Sequence, residues 1–171
     1  MLSRTAAALY WLGRYLERAD FIARLVEATI RLDALSARPA GDAAWQSALA
    51  VTYTDQAFAA TGQEPTQAHV ARFLALDDGH PGSIVRCLEM ARNNARAVRT
   101  ALTREAWTAI NRAWLLFQNR QTIGGATATL NLLEQVKGET RGFEGAIHRM
   151  MRNEATLLIQ LGAAIERADN T

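Results

Sequence analysis

The sequence predicts an all-α protein: an antiparallel bundle of six or seven helices with a long N-terminal helix. Apolar residues make up 49% of the 171 residues, aromatic residues only 7%, and there are three prolines, a composition that favours helices over sheets. Apolar side chains recur at helical spacing through most of the chain. The connections between the predicted helices are short, which implies antiparallel neighbours. One core suffices for this length, so we expect a single helical domain over residues 1–171.

The first predicted helix covers residues 5–35, with Ser3 as its candidate N-cap. Its apolar stripe consists of Leu9, Leu12, Leu16, Ala19, Ala23, Val26 and Ile30. Pro39 and Gly41 are expected to end this helix, and Asp42 can cap the next one.

Five more helical segments follow along the chain. The helix that begins near Asp42 carries Tyr53 and is predicted to fade near residues 61–66, before a shorter helix over 67–76. Ser83 and Thr103 are the candidate N-caps of the next two helices. A further helix, predicted after a turn at "GGAT", passes through Leu130, Leu133 and Val136.

The last helix is predicted to begin at about Phe143 or Gly145. Gly138 and Gly142 are expected to loosen the segment before it, because glycine is unfavourable inside helices. On this interpretation the final helix continues to the C-terminus.

Composition excludes several classes of function. The 19 basic and 17 acidic residues are mixed along the chain and leave a net charge of only +2, so nucleic-acid binding is not predicted. No uncharged segment approaches the roughly 18 residues of a membrane span, and no targeting segment is recognised. The single cysteine, Cys87, is expected to be a buried reduced thiol. We therefore predict a cytoplasmic protein that is not bound to membranes.

A short motif occurs twice: "LGRYLERAD" at residues 12–20 and "LGAAIERAD" at residues 161–169. The two copies are 149 positions apart, and both place a glycine one turn before a Glu-Arg doublet. Glycine inside a helix costs roughly 1 kcal/mol relative to alanine, and close approach by another backbone is its usual compensation. We therefore expect the two motif helices to cross at Gly13 and Gly162.

The charged residues of the motif need partners outside their own helix. Gly13, Glu17, Asp20 and Arg24 fall within about 60° on a helical wheel, whereas Arg18 lies on another side. Adjacent Glu and Arg residues cannot meet on one helix surface. The structural interpretation pairs Glu17 with Arg167, and Glu166 with Arg18, across a pseudo-twofold axis.

A functional interpretation of the same residues is also open. In it, Glu17, Asp20, Glu166 and Asp169 converge on a small cationic ligand, a metal ion or a basic segment of a partner. The Glu-x-x-His spacing of carboxylate-bridged di-iron bundles is absent, and the three histidines are scattered. We therefore predict no metal, no cofactor and no catalytic residue.

Aromatic and basic residues form two further patterns. Trp107 and Trp114 share a helix face and either pack in the core or present a strip to a partner. Arg92, Arg96 and Arg99 form a basic stripe at helical spacing, either a solvated face or a docking surface for an acidic partner.

Three segments carry a resemblance to a known family: "MLSRTAAALYWLGRYLERAD", "FLALDDGHPGSIVRCLEMARNNARAVR" and "MMRNEATLLIQLGAAIERAD". Together they make the chain similar to the bacterial alpha-E domain family, helical proteins named for a Glu-Arg motif. By motif position, the corresponding residues are Glu17, Arg18, Glu166 and Arg167. Members are typically about twice this length, which implies that the chain is the first repeat unit of such a protein, with the second motif at residues 165–169.

The resemblance implies a context rather than a reaction. Such proteins are found beside, or fused to, an ATP-grasp type ligase and a transglutaminase-like peptidase, which implies an accessory role in bacterial peptide synthesis or modification. We therefore expect a non-catalytic interaction module. The alternative is an enzyme that acts on a peptide or amino-containing substrate through paired Glu and Asp residues. We also expect an exposed apolar face to form a homo-oligomer, of which a dimer is the simplest form.

Overall fold

The computed structural model describes residues 2–35, 42–118, 120 and 122–170, and every structural statement below concerns these residues. They form eight α-helices and no strand. The predicted helix breakers Pro39 and Gly41 lie outside the described residues. The helices are α1 (Ser3–Leu35), α2 (Asp42–Val51), α3 (Asp55–Ala59), α4 (Gln67–Leu76), α5 (Ile84–Ala97), α6 (Arg104–Phe117), α7 (Ala126–Arg149) and α8 (Glu154–Asp169).

Helix α1 is the central element of the bundle. It packs against α8, α5 and α7, and α6 packs against α7 on the far side. The predicted apolar stripe of α1 faces this core, with Leu9, Leu12, Ala19 and Val26 fully buried. The all-α class and the long N-terminal helix are therefore confirmed.

Local capping follows the predicted rules. The Ser83 hydroxyl accepts a hydrogen bond from the backbone N–H of Arg86, and the Thr103 hydroxyl accepts one from Ala106. Each satisfies a donor that the first helical turn leaves unpaired. Both predicted N-caps are confirmed.

The helix that was predicted to run past Tyr53 is in fact two helices. Tyr53 has a positive φ of 55° and separates α2 from α3. The Thr52 hydroxyl donates to the carbonyl of Ala48 at 3.0 Å, and the backbone N–H of Thr54 donates to Leu49 at 2.9 Å. These bonds satisfy carbonyls at the end of α2, so the helix can stop there.

The prediction that the last helix begins near Phe143 or Gly145 is wrong. Helix α7 continues through both glycines, Gly138 and Gly142, to Arg149. It buries an apolar face that includes Phe143, and this burial outweighs a glycine cost of about 1 kcal/mol each. Helix α8 begins only at Glu154, after a capping box in which Asn153 and Thr156 bond reciprocally.

Cys87 is fully buried, as expected. Burial raises the pKa of its thiol to about 12, so the thiol is protonated and unreactive at neutral pH. None of the described helices combines the length and the apolar character that crossing a bilayer requires.

The tryptophans and the basic stripe form one cluster rather than two separate features. Trp107 and Trp114 are half-buried, and the Arg92 guanidinium lies 4.0 Å from the centre of the Trp114 ring. Arg99 lies 5.4 Å from the Trp107 ring. Two of the three arginines are therefore stacked on aromatic faces, where cation–π attraction holds them.

Candidate functional site

Helices α1 and α8 make their closest approach at the two motif glycines. A Cβ atom placed on Gly13 would lie 2.1 Å from the carbonyl oxygen of Ile159, and one on Gly162 would lie 2.1 Å from that of Tyr10. No side chain fits at either position without moving backbone. The predicted crossing at Gly13 and Gly162 is therefore present.

The two Glu-Arg doublets form reciprocal ion pairs across this crossing. Arg167 donates from Nε and Nη2 to the two carboxylate oxygens of Glu17, at 2.9 and 2.8 Å. Arg18 donates in the same way to Glu166, at 2.6 and 2.9 Å. Both predicted pairs are present, and both are bidentate, the stronger geometry for such pairs. Each glycine contact and each ion pair of one motif copy thus has a counterpart 149 residues away in the other copy. The crossing therefore has a local pseudo-twofold symmetry.

Arg14 breaks this symmetry, and sequence reasoning did not assign it a partner. Its Nε also donates to Glu166, its Nη2 donates to Asp169 at 2.6 Å, and its Nη1 donates to the Tyr10 hydroxyl at 3.1 Å. Burial opposes its charge, but the bonds with Tyr10 and Glu166 raise the pKa of Arg14 overall. The signal was in the sequence, because Arg14 precedes Arg18 by one turn on the same face.

Asp20 connects α1 to α7. Its Oδ1 accepts a hydrogen bond from the Thr140 hydroxyl at 2.7 Å, and its Oδ2 pairs with Arg24 Nε at 2.6 Å. Asp20 is buried, whereas Arg24 extends into solvent. Thr140 was not recognised from the sequence, since a threonine within a helix carries no mark of its tertiary partner.

A cavity of about 390 Å³ adjoins the crossing, between α1, α7 and α8. Its polar side includes Glu17, Asp20 and Gln160, and further charged side chains lie around it. Its apolar wall consists of Leu16, Phe143, Ile147, Met150 and Ile159. The cavity therefore combines charged groups of both signs, Glu17 and Asp20 among them, with apolar surface, a combination suited to a small ligand group.

The predicted convergence of four carboxylates does not occur. Glu17 and Asp20 line the cavity, whereas Glu166 and Asp169 do not line it and instead bind Arg14. Within the described part of the chain, no group of three His, Cys, Asp or Glu residues is placed to hold a metal ion. The reason is that the arginines of the motif separate the two acidic pairs.

Comparison with known proteins gives one match. The family model of Alpha-E, described as a predicted alpha-helical domain with a conserved ER motif, matches residues 1–171. No curated protein and no solved structure matches the chain. In this chain the letters ER occur at Glu17-Arg18 and at Glu166-Arg167, the residues that pair across the glycine crossing. The chain belongs to the Alpha-E family.

Proposed function

We propose that this chain is a non-catalytic helical interaction module of the bacterial cytoplasm. In this role it works with an ATP-grasp type amide ligase and a transglutaminase-like peptidase in peptide synthesis or modification. Family membership supports this context, since the resemblance implies an association of such proteins with those enzymes. The main support for the proposal is that the four charged groups of the two ER doublets form ion pairs that hold α1 and α8 together.

The contacts of the motif favour an interaction role over an enzymatic one. Glu17 and Glu166 each accept a bidentate pair of hydrogen bonds from arginine. A general base must take up a substrate proton, whereas each of these carboxylates is the acidic partner of an ion pair between helices and would weaken that pair if it were protonated. A motif whose charged groups are used in this way sets the relative position of two helices, which favours a structural role over a catalytic one.

The surface that we assign to docking is an apolar stripe on the outer side of α8. The stripe consists of Leu157, Leu161, Ala164 and Ala168, at the spacing of one helix face. All four side chains are exposed, and Leu157 and Leu161 expose 56% and 49% of their surface. Exposed apolar surface of this kind is typical of contact sites. The ion pairs hold α8 rigid, so the stripe is presented in one orientation.

Co-purification tests this proposal. An ATP-grasp type ligase of the same organism is expected to be captured by the tagged chain at roughly micromolar concentration. Leu161→Glu places a charge in the stripe and should abolish capture. Leu115→Glu is the matched control, because Leu115 is 50% exposed on α6, outside the stripe. Failure of the unmodified chain to capture the ligase, or equal loss in both variants, would overturn the proposal.

We also propose that the same stripe forms a homodimer when no partner is bound. A second copy offers an identical apolar face, and twofold contacts are the commonest way to cover one. Light scattering should give twice the monomer mass, and Leu161→Glu should restore the monomer. A monomer at high concentration of the unmodified chain would exclude self-association.

A further inference from the structure

The pseudo-twofold crossing carries an arginine on one side and an alanine at the corresponding position on the other. The 149-residue shift relates Arg14 on α1 to Ala163 on α8. The backbones at these two positions are equivalent, because the backbone nitrogen of Ala163 lies near Gly13 and that of Arg14 lies near Gly162. At this pair of positions, only the first side of the crossing carries a guanidinium group.

On the first side, the Arg14 guanidinium occupies a site formed by four side chains, which we call the cradle. Glu166 and Asp169 accept its hydrogen bonds, as does the Tyr10 hydroxyl. Its guanidinium also lies 5.7 Å from the ring centre of Trp11, within range of cation–π attraction. The cradle thus consists of two carboxylates and two further side chains.

On the second side, the residues that correspond to this cradle line the cavity. The shift converts Glu166, Asp169, Tyr10 and Trp11 into Glu17, Asp20, Ile159 and Gln160. All four of these residues line the cavity, and so does Ala163. The space is thus formed by the counterparts of residues that bind a guanidinium elsewhere in the same molecule.

We propose that this cavity binds the guanidinium of an arginine side chain in a peptide or partner protein, with Glu17 and Asp20 as its acceptors. A planar guanidinium matches carboxylates better than a compact ammonium does. The apolar wall that includes Leu16, Ile147 and Ile159 suits the methylene stem of arginine, which packs on apolar surface.

The existing ion pairs of the two carboxylates are compatible with this ligand. Glu166 accepts from Arg14 while it remains bidentate with Arg18, so Glu17 can accept a second guanidinium in the same way beside Arg167. Asp20 is paired with Arg24, whose side chain is 66% exposed. Because only the Arg24 side of this pair is exposed, an entering guanidinium can take the place of Arg24 and leave the buried Asp20 carboxylate paired with a cation.

The other cationic groups around the cavity are balanced in part by acidic ones. Arg141 donates to Glu134 at 2.7 Å, and Glu144 adds a negative charge to the lining. Arg152 and His148 also line the cavity. They are in position to meet an acidic group next to the arginine of a peptide.

This inference goes beyond the proposed function and does not depend on it. Of the docking stripe, Ala164 lines the cavity, whereas Leu157, Leu161 and Ala168 do not. Ligand binding to the isolated chain and capture of the ligase can therefore fail separately.

The direct test is an NMR titration of the isotope-labelled chain with N-acetyl-arginine N-methylamide. We expect saturable shifts at Glu17, Asp20 and Ala163 with an affinity in roughly the millimolar range. The citrulline analogue, which is neutral but of nearly the same shape, should bind at least about tenfold more weakly because charge-assisted hydrogen bonds are lost. The lysine analogue should fall between them.

The chain also offers a variant that supplies its own ligand. Ala163→Arg restores the missing guanidinium, and we expect it to fill the cavity and to abolish titration by the arginine amide. Ala168→Arg adds the same charge to an exposed position on the same helix and should leave binding unchanged. Glu17→Gln should weaken binding by at least about tenfold.

Three outcomes would overturn the proposal. They are the absence of saturable binding by the unmodified chain, equal binding of the citrulline amide, and retained binding in Ala163→Arg. Circular dichroism of each variant verifies that the helices are intact, so that a loss of binding reports on the cavity.

Discussion

The two copies of the motif have the same letters at their key positions but different surroundings. Leu12 in the first copy is fully buried, whereas its counterpart Leu161 is 49% exposed. The two aspartates differ in the same sense, because Asp20 is buried and the Asp169 side chain is 57% exposed. The motif spacing therefore fixes the contact between the copies, but not the burial of either copy.

The difference follows from the position of each helix in the bundle. Helix α1 packs against three other long helices, whereas α8 packs chiefly against α1. One face of each helix is used in the crossing. The other apolar face is covered only for α1, which leaves the docking stripe of α8 open.

The largest effect is expected for the leucine pair. Leu12→Ala creates a cavity in the core and should reduce the free energy of unfolding by about 3 kcal/mol. Leu161→Ala removes exposed surface and should change it by less than about 0.5 kcal/mol. Urea denaturation of both variants measures the difference. The comparison is made at a dilution that keeps the chain monomeric, and equal losses there would show that Leu161 is covered within the monomer.

The second-largest difference in stability is expected between the two glutamate variants. Glu166→Gln leaves Arg14 and Arg18 without their shared carboxylate and should cost about 3 kcal/mol, because Glu166 is buried. Glu17→Gln should cost only about 1 kcal/mol, since the Arg167 side chain is 62% exposed. Thermal unfolding provides the readout, and a greater loss for Glu17→Gln would contradict the asymmetry described here.

The glycines test the crossing itself. Gly13→Ala and Gly162→Ala force the two backbones apart and should each cost about 2 kcal/mol. Gly145→Ala is the matched control within α7: no atom of the described residues lies within 4 Å of its added Cβ, and it should stabilise the chain by about 0.5 kcal/mol. If Gly13→Ala proved neutral, the close approach of α1 and α8 would be wrong.

The aspartates should show the smallest difference. Asp20→Asn weakens the bonds to Thr140 and Arg24 and should cost about 1 kcal/mol. Asp169→Asn affects only an exposed pair with Arg14 and should cost less than about 0.5 kcal/mol. Chemical denaturation at equal ionic strength distinguishes them, and a reversed order would mean that Asp169 is covered by a neighbour.

Much of the crossing could be predicted from the sequence because its information is local and repeated. A glycine one turn before each Glu-Arg doublet implied close approach, and the geometry of one helix required each doublet to pair outside it. The Ser83 and Thr103 caps were predictable for a similar reason, since capping involves residues only three positions apart.

Features that depend on distant neighbours were not predictable in this way. The continuation of α7 through Gly138 depends on burial of its apolar face, which outweighs local propensity. The bond from Thr140 to Asp20 joins residues 120 positions apart, and nothing in either local sequence marks it.

The sequence by itself determined the helical class, the duplicated motif and the pairing between its copies, because periodicity, glycine and charge act through spacing along one helix. Only the tertiary structure decided which copy is buried, which carboxylates face a cavity and which apolar stripe is left open. Those properties depend on how many helices pack around each segment, and that number is set by the whole chain rather than by the motif.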